Sequence, residues 1–178
     1  MSDILRSTMI DFIIRIIADG LVIPIVLLAT YVLLFQLKTK HWFSSYLRIL
    51  IAGLSAYILA KIIGHYFQPE IERPFQKLGI EAGAAYIDNP GFPSDHVLFC
   101  MAIFWAVWTQ SRAKWAAVVI LILTLLVGLG RMLALVHTPL DVLGGIVIAS
   151  IGALWYLTEG YTKNIETVSR QKHKKHVE

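Results

Sequence analysis

The sequence predicts an all-α, polytopic membrane helix bundle: five clear spans, plus an N-terminal amphipathic or sixth helix. Three observations carry that prediction. Hydrophobic residues fill 57% of the 178 positions and charged residues only 16%, with a mean hydropathy of +0.66, well outside the soluble range. The apolar residues are gathered into runs near the ~20 residues that cross hydrocarbon. Basic residues fall between alternate runs, as a chain threading a bilayer requires.

The opening SDILRSTMIDFIIRIIAD is interrupted by Asp3, Arg6, Asp11, Arg15 and Asp19, while Ile10, Ile13, Ile14 and Ile17 keep helical spacing. An interfacial amphipathic helix is preferred here over a true span, because charge inside a membrane is costly. Its flanks do not fit a cleavable signal peptide. Clear spans follow at Gly20 to Leu37, Tyr46 to Phe67, Trp115 to Val136 and Pro139 to Thr158. The fifth, Ser94 to Gln110, is short, which suits a helix that starts at the interface or in a polar cavity. Cys100, the single cysteine, lies in this apolar segment and reads as a small buried hydrophobe. The chain is therefore expected to divide into a membrane-embedded domain, residues 1–160, and a basic cytoplasmic tail, residues 161–178.

Orientation follows from three basic groups: Lys38, Lys40 and Arg48; Arg112 and Lys114; and Lys163, Arg170, Lys172, Lys174 and Lys175. Counting spans from Gly20 puts all three on one side, the cytoplasmic one. The opposite face receives the loop from Gln68 to Pro93, the start of the Ser94 helix and the Val136 to Pro139 turn.

That face also collects Lys61, His65, Arg73, Ser94, Asp95, His96, Arg131, His137 and Asp141. Each has a bland reading beside the functional one. Lys61 can snorkel to headgroups, Ser94 can cap a helix, and Thr138, Pro139 and Asp141 can form a capping box with a first-turn proline. Arg131 and the histidines fit the bland reading worst. An arginine ending an apolar helix needs a partner or a ligand.

Together the set suits anion chemistry. Helix N-termini at Ser94 and Thr138 present N–H groups to phosphate, and Arg73, Arg131 and Lys61 supply countercharge. Two histidines meet the needs of stepwise phosphoryl transfer, one attacking phosphorus and one protonating the departing oxygen. Asp141, four residues after His137, can reach that ring and fix its tautomer.

The segments ERPF at 72–75, PSDH at 93–96 and RMLALVHTPLD at 131–141 resemble, in order, the three signatures of the type 2 phosphatidic acid phosphatase superfamily. The resemblance implies a metal-independent lipid phosphatase without cofactor, built on six helices. It further implies His137 as nucleophile, Asp141 as its orienting acid, His96 as general acid, and Lys61, Arg73, Ser94 and Arg131 as the phosphate-binding groups. Three positions depart from the pattern. Lys61 precedes Arg73 by twelve residues, farther than the family's lysine, so His65 is a candidate to share its role. Gly130 stands where serine is common. Asp95 replaces the usual glycine and resembles the bacterial undecaprenyl-pyrophosphate phosphatase branch, where it would modulate recognition of a diphosphate.

The expected substrate is thus a polyprenyl or glycerolipid phosphate, met among membrane lipids on the non-cytoplasmic face of a bacterial cytoplasmic membrane. Phosphatidylglycerophosphate and phosphatidic acid are the alternatives, and a non-catalytic lipid-phosphate binder is the reading from another class. Nucleic acid and an obligate protein partner are not expected. His173 and His176 are too isolated to suggest a metal site.

Overall fold

A computed structural model describes residues 2–38, 42–88 and 91–157. The expected tail at 161–178 and Lys40 lie outside the described residues. The elements are helices: α1 Ser2–Arg15, a π turn Ile16–Gly20, α2 Val22–Phe35, α3 Trp42–Tyr66, the short α4 Pro74–Lys77, α5 Asp95–Gln110, α6 Lys114–Leu133, α7 Pro139–Gly152 and a 3-10 turn Ala153–Leu157.

Among the described residues, four helical stretches are long and apolar enough to cross a membrane: Met9–Phe35, Trp42–Tyr66, Lys114–Leu133 and Pro139–Leu157. The first begins earlier than the sequence suggests. Leu21 keeps helical backbone angles and its N–H bonds Ile16 O at 3.0 Å, so α1 runs through the π turn into α2 rather than lying apart from it.

The shorter α5, at 16 residues, is only about 24 Å long. It packs against α2, α3, α6 and α7, so apolar residues around much of its circumference are buried, including Val97, Leu98, Cys100, Met101, Phe104 and Val107. Lipid-facing positions carry the opposite pattern. Leu27 and Leu34 of α2, Leu50 and Leu54 of α3, Ile122 and Leu125 of α6, and Leu143 and Val147 of α7 are exposed, as suits hydrocarbon outside the bundle.

Small residues let the helices close on one another. Ala52, Ala56 and Ala60 are buried along one side of α3, and a Cβ on Gly152 would stand 2.6 Å from Ala52 O. Gly145 of α7 is equally tight, its hypothetical Cβ 2.9 Å from Ser94 O. This contact seats the start of α5 on α7.

The two ends of the bundle differ. At one, Lys38 N–H donates to Gln110 O at 2.9 Å, Arg112 N–H to Gln36 O at 3.0 Å, and Lys114 stands over the Trp108 ring at 4.5 Å. Two of the three basic groups therefore meet, as the span count requires. At the other end the loop between α3 and α5 folds over the tip of α6. Pro74 starts α4, buried Phe75 anchors it, and Phe75 N–H donates to Leu135 O at 3.0 Å. Gln68 ties the loop's ends, its Nε2 donating to Phe92 O at 3.2 Å and to Gly64 O.

Candidate active site

His137 lies in the turn between α6 and α7, and the backbone bends sharply to put it there. Leu135, two residues earlier, adopts φ of 58°, a left-handed conformation that costs a non-glycine residue about 1–3 kcal/mol. Arg73 braces the turn. Its Nη1 donates to Val136 O at 2.6 Å and its Nη2 to Ile87 O at 3.1 Å, with the guanidinium over the Tyr86 ring at 5.5 Å.

Asp141 serves the helix start and stands beside His137. The capping box forms, with Thr138 N–H donating to Asp141 Oδ2 at 2.8 Å and Asp141 N–H to Thr138 Oγ1 at 3.3 Å. The same Oδ2 is 3.4 Å from His137 Nδ1, which is buried and has no hydrogen bond as the groups stand. A small rotation of either group would make one. Nδ1 thus faces the carboxylate, and Nε2 is the ring nitrogen turned away from it.

His96 sits one residue into α5, at the mouth of the site. Its neighbour Asp95 holds Lys61 Nζ through both oxygens, at 3.0 and 3.1 Å. Lys61 therefore reaches the site despite its long spacing from Arg73. Ser94 occupies the N-cap position by backbone, but its hydroxyl makes no capping bond and is buried without a partner. Arg131 is buried at the end of α6, 1% exposed, and its Nη1 pairs with Asp19 Oδ1 at 2.5 Å.

Lys61, His65, Arg73, Asp95, His96, Arg131 and His137 all line one cavity of about 420 Å³. Ser94 and Asp141 stand behind its wall, Asp141 against His137 and Ser94 against Asp141, whose carbonyl accepts from Ser94 N–H at 3.0 Å. Residues far apart in sequence thus converge as the polar pattern predicts. The sequence reading missed Asp19 and Gln68. The cost of a charge in an apolar run, which singled out Arg131, applies equally to Asp19 in IIADG.

A family profile described as the PAP2 superfamily matches residues 42–165. The chain belongs to that superfamily. It is 30% identical over 141 residues to the protein named "Putative undecaprenyl-diphosphatase YbjG" of Escherichia coli (strain K12), an alignment covering 78% of this chain and 67% of that one. It is 34% identical over 102 residues to Undecaprenyl-diphosphatase BcrC of Bacillus subtilis (strain 168), covering 57% of this chain and 49% of that one. The aligned part thus spans about half the length of BcrC. No solved structure matches the chain. As a PAP2 member with apolar spans, the protein is a membrane hydrolase of phosphate esters or anhydrides.

The environment of His137 in this PAP2 chain has a consequence for pH. Burial holds its pKa below the ordinary histidine value; the Asp141 carboxylate opposes that shift, and the Arg131 and Arg73 guanidiniums reinforce it. A depressed pKa keeps the imidazole neutral, and so nucleophilic, into more acid solution. The acid limb of a kcat/KM profile is therefore expected below the ~6.5 of a free histidine, and a limb above that value would count against His137 as the attacking group.

Proposed function

We propose that the protein hydrolyses undecaprenyl pyrophosphate to the monophosphate, on the non-cytoplasmic face of a bacterial cytoplasmic membrane, through a phosphohistidine on His137. The observation that carries this reading is the adjacency of two cavities. The polar one holds His137 and its cationic neighbours, and it shares Ile87 and Asp95 with an apolar groove of about 730 Å³ between α2, α3 and α5. A diphosphate fits the first and a long polyprenyl tail the second.

In the reaction His137 Nε2 forms a bond to the terminal phosphorus as the bridging P–O bond breaks. The electron pair stays on the departing oxygen, which takes its proton from His96. Lipid monophosphate leaves. His96 then takes a proton from water, the hydroxide attacks phosphorus, and the P–N bond breaks to release inorganic phosphate. Arg73, Arg131 and Lys61, which line the cavity, hold the phosphoryl oxygens while the Ser94 hydroxyl stays buried behind its wall, and Asp141 steadies the charge on His137.

Asp95 supports the diphosphate reading. A lining residue of both cavities, it pairs with Lys61 and so fixes an ammonium where the second phosphate would lie, in the cavity that His65 also lines. A substrate panel in detergent tests the assignment. Polyprenyl diphosphate should be hydrolysed faster than phosphatidylglycerophosphate or phosphatidic acid, and Asp95→Gly should lower the preference for diphosphate over monophosphate. A tenfold preference for phosphatidylglycerophosphate, about 1.4 kcal/mol in transition-state binding, would overturn the substrate but not the mechanism.

Support for the proposed side of the membrane comes from the basic end of the bundle at Lys38, Arg112 and Lys114, opposite the cavity. Cysteine labelling at Glu81 and Lys172 should report opposite sides. Labelling from the same side would refute that orientation.

A further inference from the structure

The N-terminal helix brings against Arg131 and His96, two residues that line the cavity, a carboxylate that the steps above do not use. Asp19 lies in the π turn Ile16–Gly20. Its Oδ1 is 2.5 Å from Arg131 Nη1 and 3.6 Å from His96 Nε2, and its Oδ2 accepts from Ala85 N–H at 2.9 Å. The carboxylate is thus held from α6 and from the loop that lines the cavity, while it faces the start of α5.

The backbone is shaped for this approach. Ala18 is fully buried, and a Cβ on Gly130 would stand 2.7 Å from Ala18 N, so the π turn seats on α6 only where α6 has glycine. A π turn widens a helix locally and redirects its side chains. Here it turns Asp19 toward Arg131.

We propose that Asp19 is a positioning residue for phosphoryl transfer, fastening Arg131 and orienting His96 as proton donor, so that the N-terminal helix is part of the active site. This rests on reading His96 as the general acid. The charged and titratable groups around His96 are Asp19 from the π turn, Arg131 from α6, His137 from the turn before α7, and Asp95 on its own helix, itself paired with Lys61 of α3. At 3.6 Å the Asp19 contact is longer than a hydrogen bond. A proton carried on Nε2 is thus not tied to the carboxylate and can pass to the departing oxygen as the P–O bond breaks and the His137 P–N bond forms.

Two substrates with different leaving groups test the proposal on the full chain in detergent. Dioctanoyl phosphatidic acid must have its leaving oxygen protonated, whereas p-nitrophenyl phosphate expels a stabilised phenolate that needs no proton. Asp19→Asn should lower kcat/KM, which reports only the steps up to phosphorylation of His137 and not the shared hydrolysis that follows, roughly 10²-fold on the lipid ester and about tenfold less on the aryl ester. Asp19→Glu keeps the charge but displaces it, and should discriminate in the same direction to a smaller degree. That variant also serves if the asparagine protein does not fold.

Equal losses on both esters would reduce Asp19 to a structural role and overturn the proposal. So would an unchanged kcat with a several-fold lower KM, the sign of a carboxylate that merely competes with phosphate for Arg131. His96→Ala separates the two readings. If its kcat/KM falls equally on both esters, the proton donor is misassigned and this inference falls with it; if its kcat/KM discriminates and that of the Asp19 variants does not, this inference alone fails.

Discussion

Replacing His137 with alanine is expected to reduce kcat by a factor on the order of 10⁴ to 10⁶, because under the proposed mechanism the variant has no group to form the phosphohistidine. The loss should appear equally with every substrate the protein hydrolyses, since all would share the attacking nitrogen. The fold should survive, as the side chain makes no hydrogen bond through Nδ1 and the turn is braced by Arg73 on neighbouring carbonyls. Rapid acid-free quenching of the native protein with ³²P-labelled substrate should trap a phosphohistidine that is stable to base and absent from His137→Ala. Vanadate, whose trigonal bipyramid resembles the transferring phosphoryl group, should inhibit the native protein. Turnover should persist in chelator. Activity that vanished in chelator and returned with magnesium would replace the histidine mechanism by a metal-dependent one.

The second large effect is expected from Asp141→Asn, which separates the two jobs of this carboxylate. An asparagine oxygen can still accept from Thr138 N–H, so the capping box is largely retained and stability should fall by less than the ~1 kcal/mol that loss of a helix cap typically costs. The charge beside His137 Nδ1 is lost. Without it no charge beside Nδ1 can favour one tautomer or balance the positive ring that the proposed phosphorylation would create, so kcat should fall roughly 10³- to 10⁴-fold. Thermal unfolding in detergent and steady-state kinetics measured on the same preparation check both halves. A variant that lost stability and activity in proportion would show that Asp141 acts only through the helix start.

The class of fold was legible because a bilayer constrains sequence harder than water does. Runs of apolar residues and alternating basic clusters suffice to predict a helical bundle and the end at which its polar residues gather. The convergence of His96, Arg131 and His137 was legible for the same reason: charged and titratable groups at helix ends are too costly in hydrocarbon to be incidental. Thr138, Pro139 and Asp141 could be read as a helix start because capping is a local matter of three or four residues.

Contacts between distant segments were not written in any local pattern. Lys61 looked badly spaced from Arg73, yet α3 and α5 pack so that it meets Asp95, a partner 34 residues away. Gly130 looked like a lost hydroxyl, but packing makes it the place where the π turn rests against α6. Asp19 and Arg131 are separated by 112 residues, and only the seating of the N-terminal helix joins them. The sequence by itself determined a helical membrane bundle with a polar, phosphate-ready end, since burial cost and periodicity act along the chain. Tertiary structure decided which carboxylate faces which cation, because that depends on how helices separated by loops pack within a few tenths of an ångström.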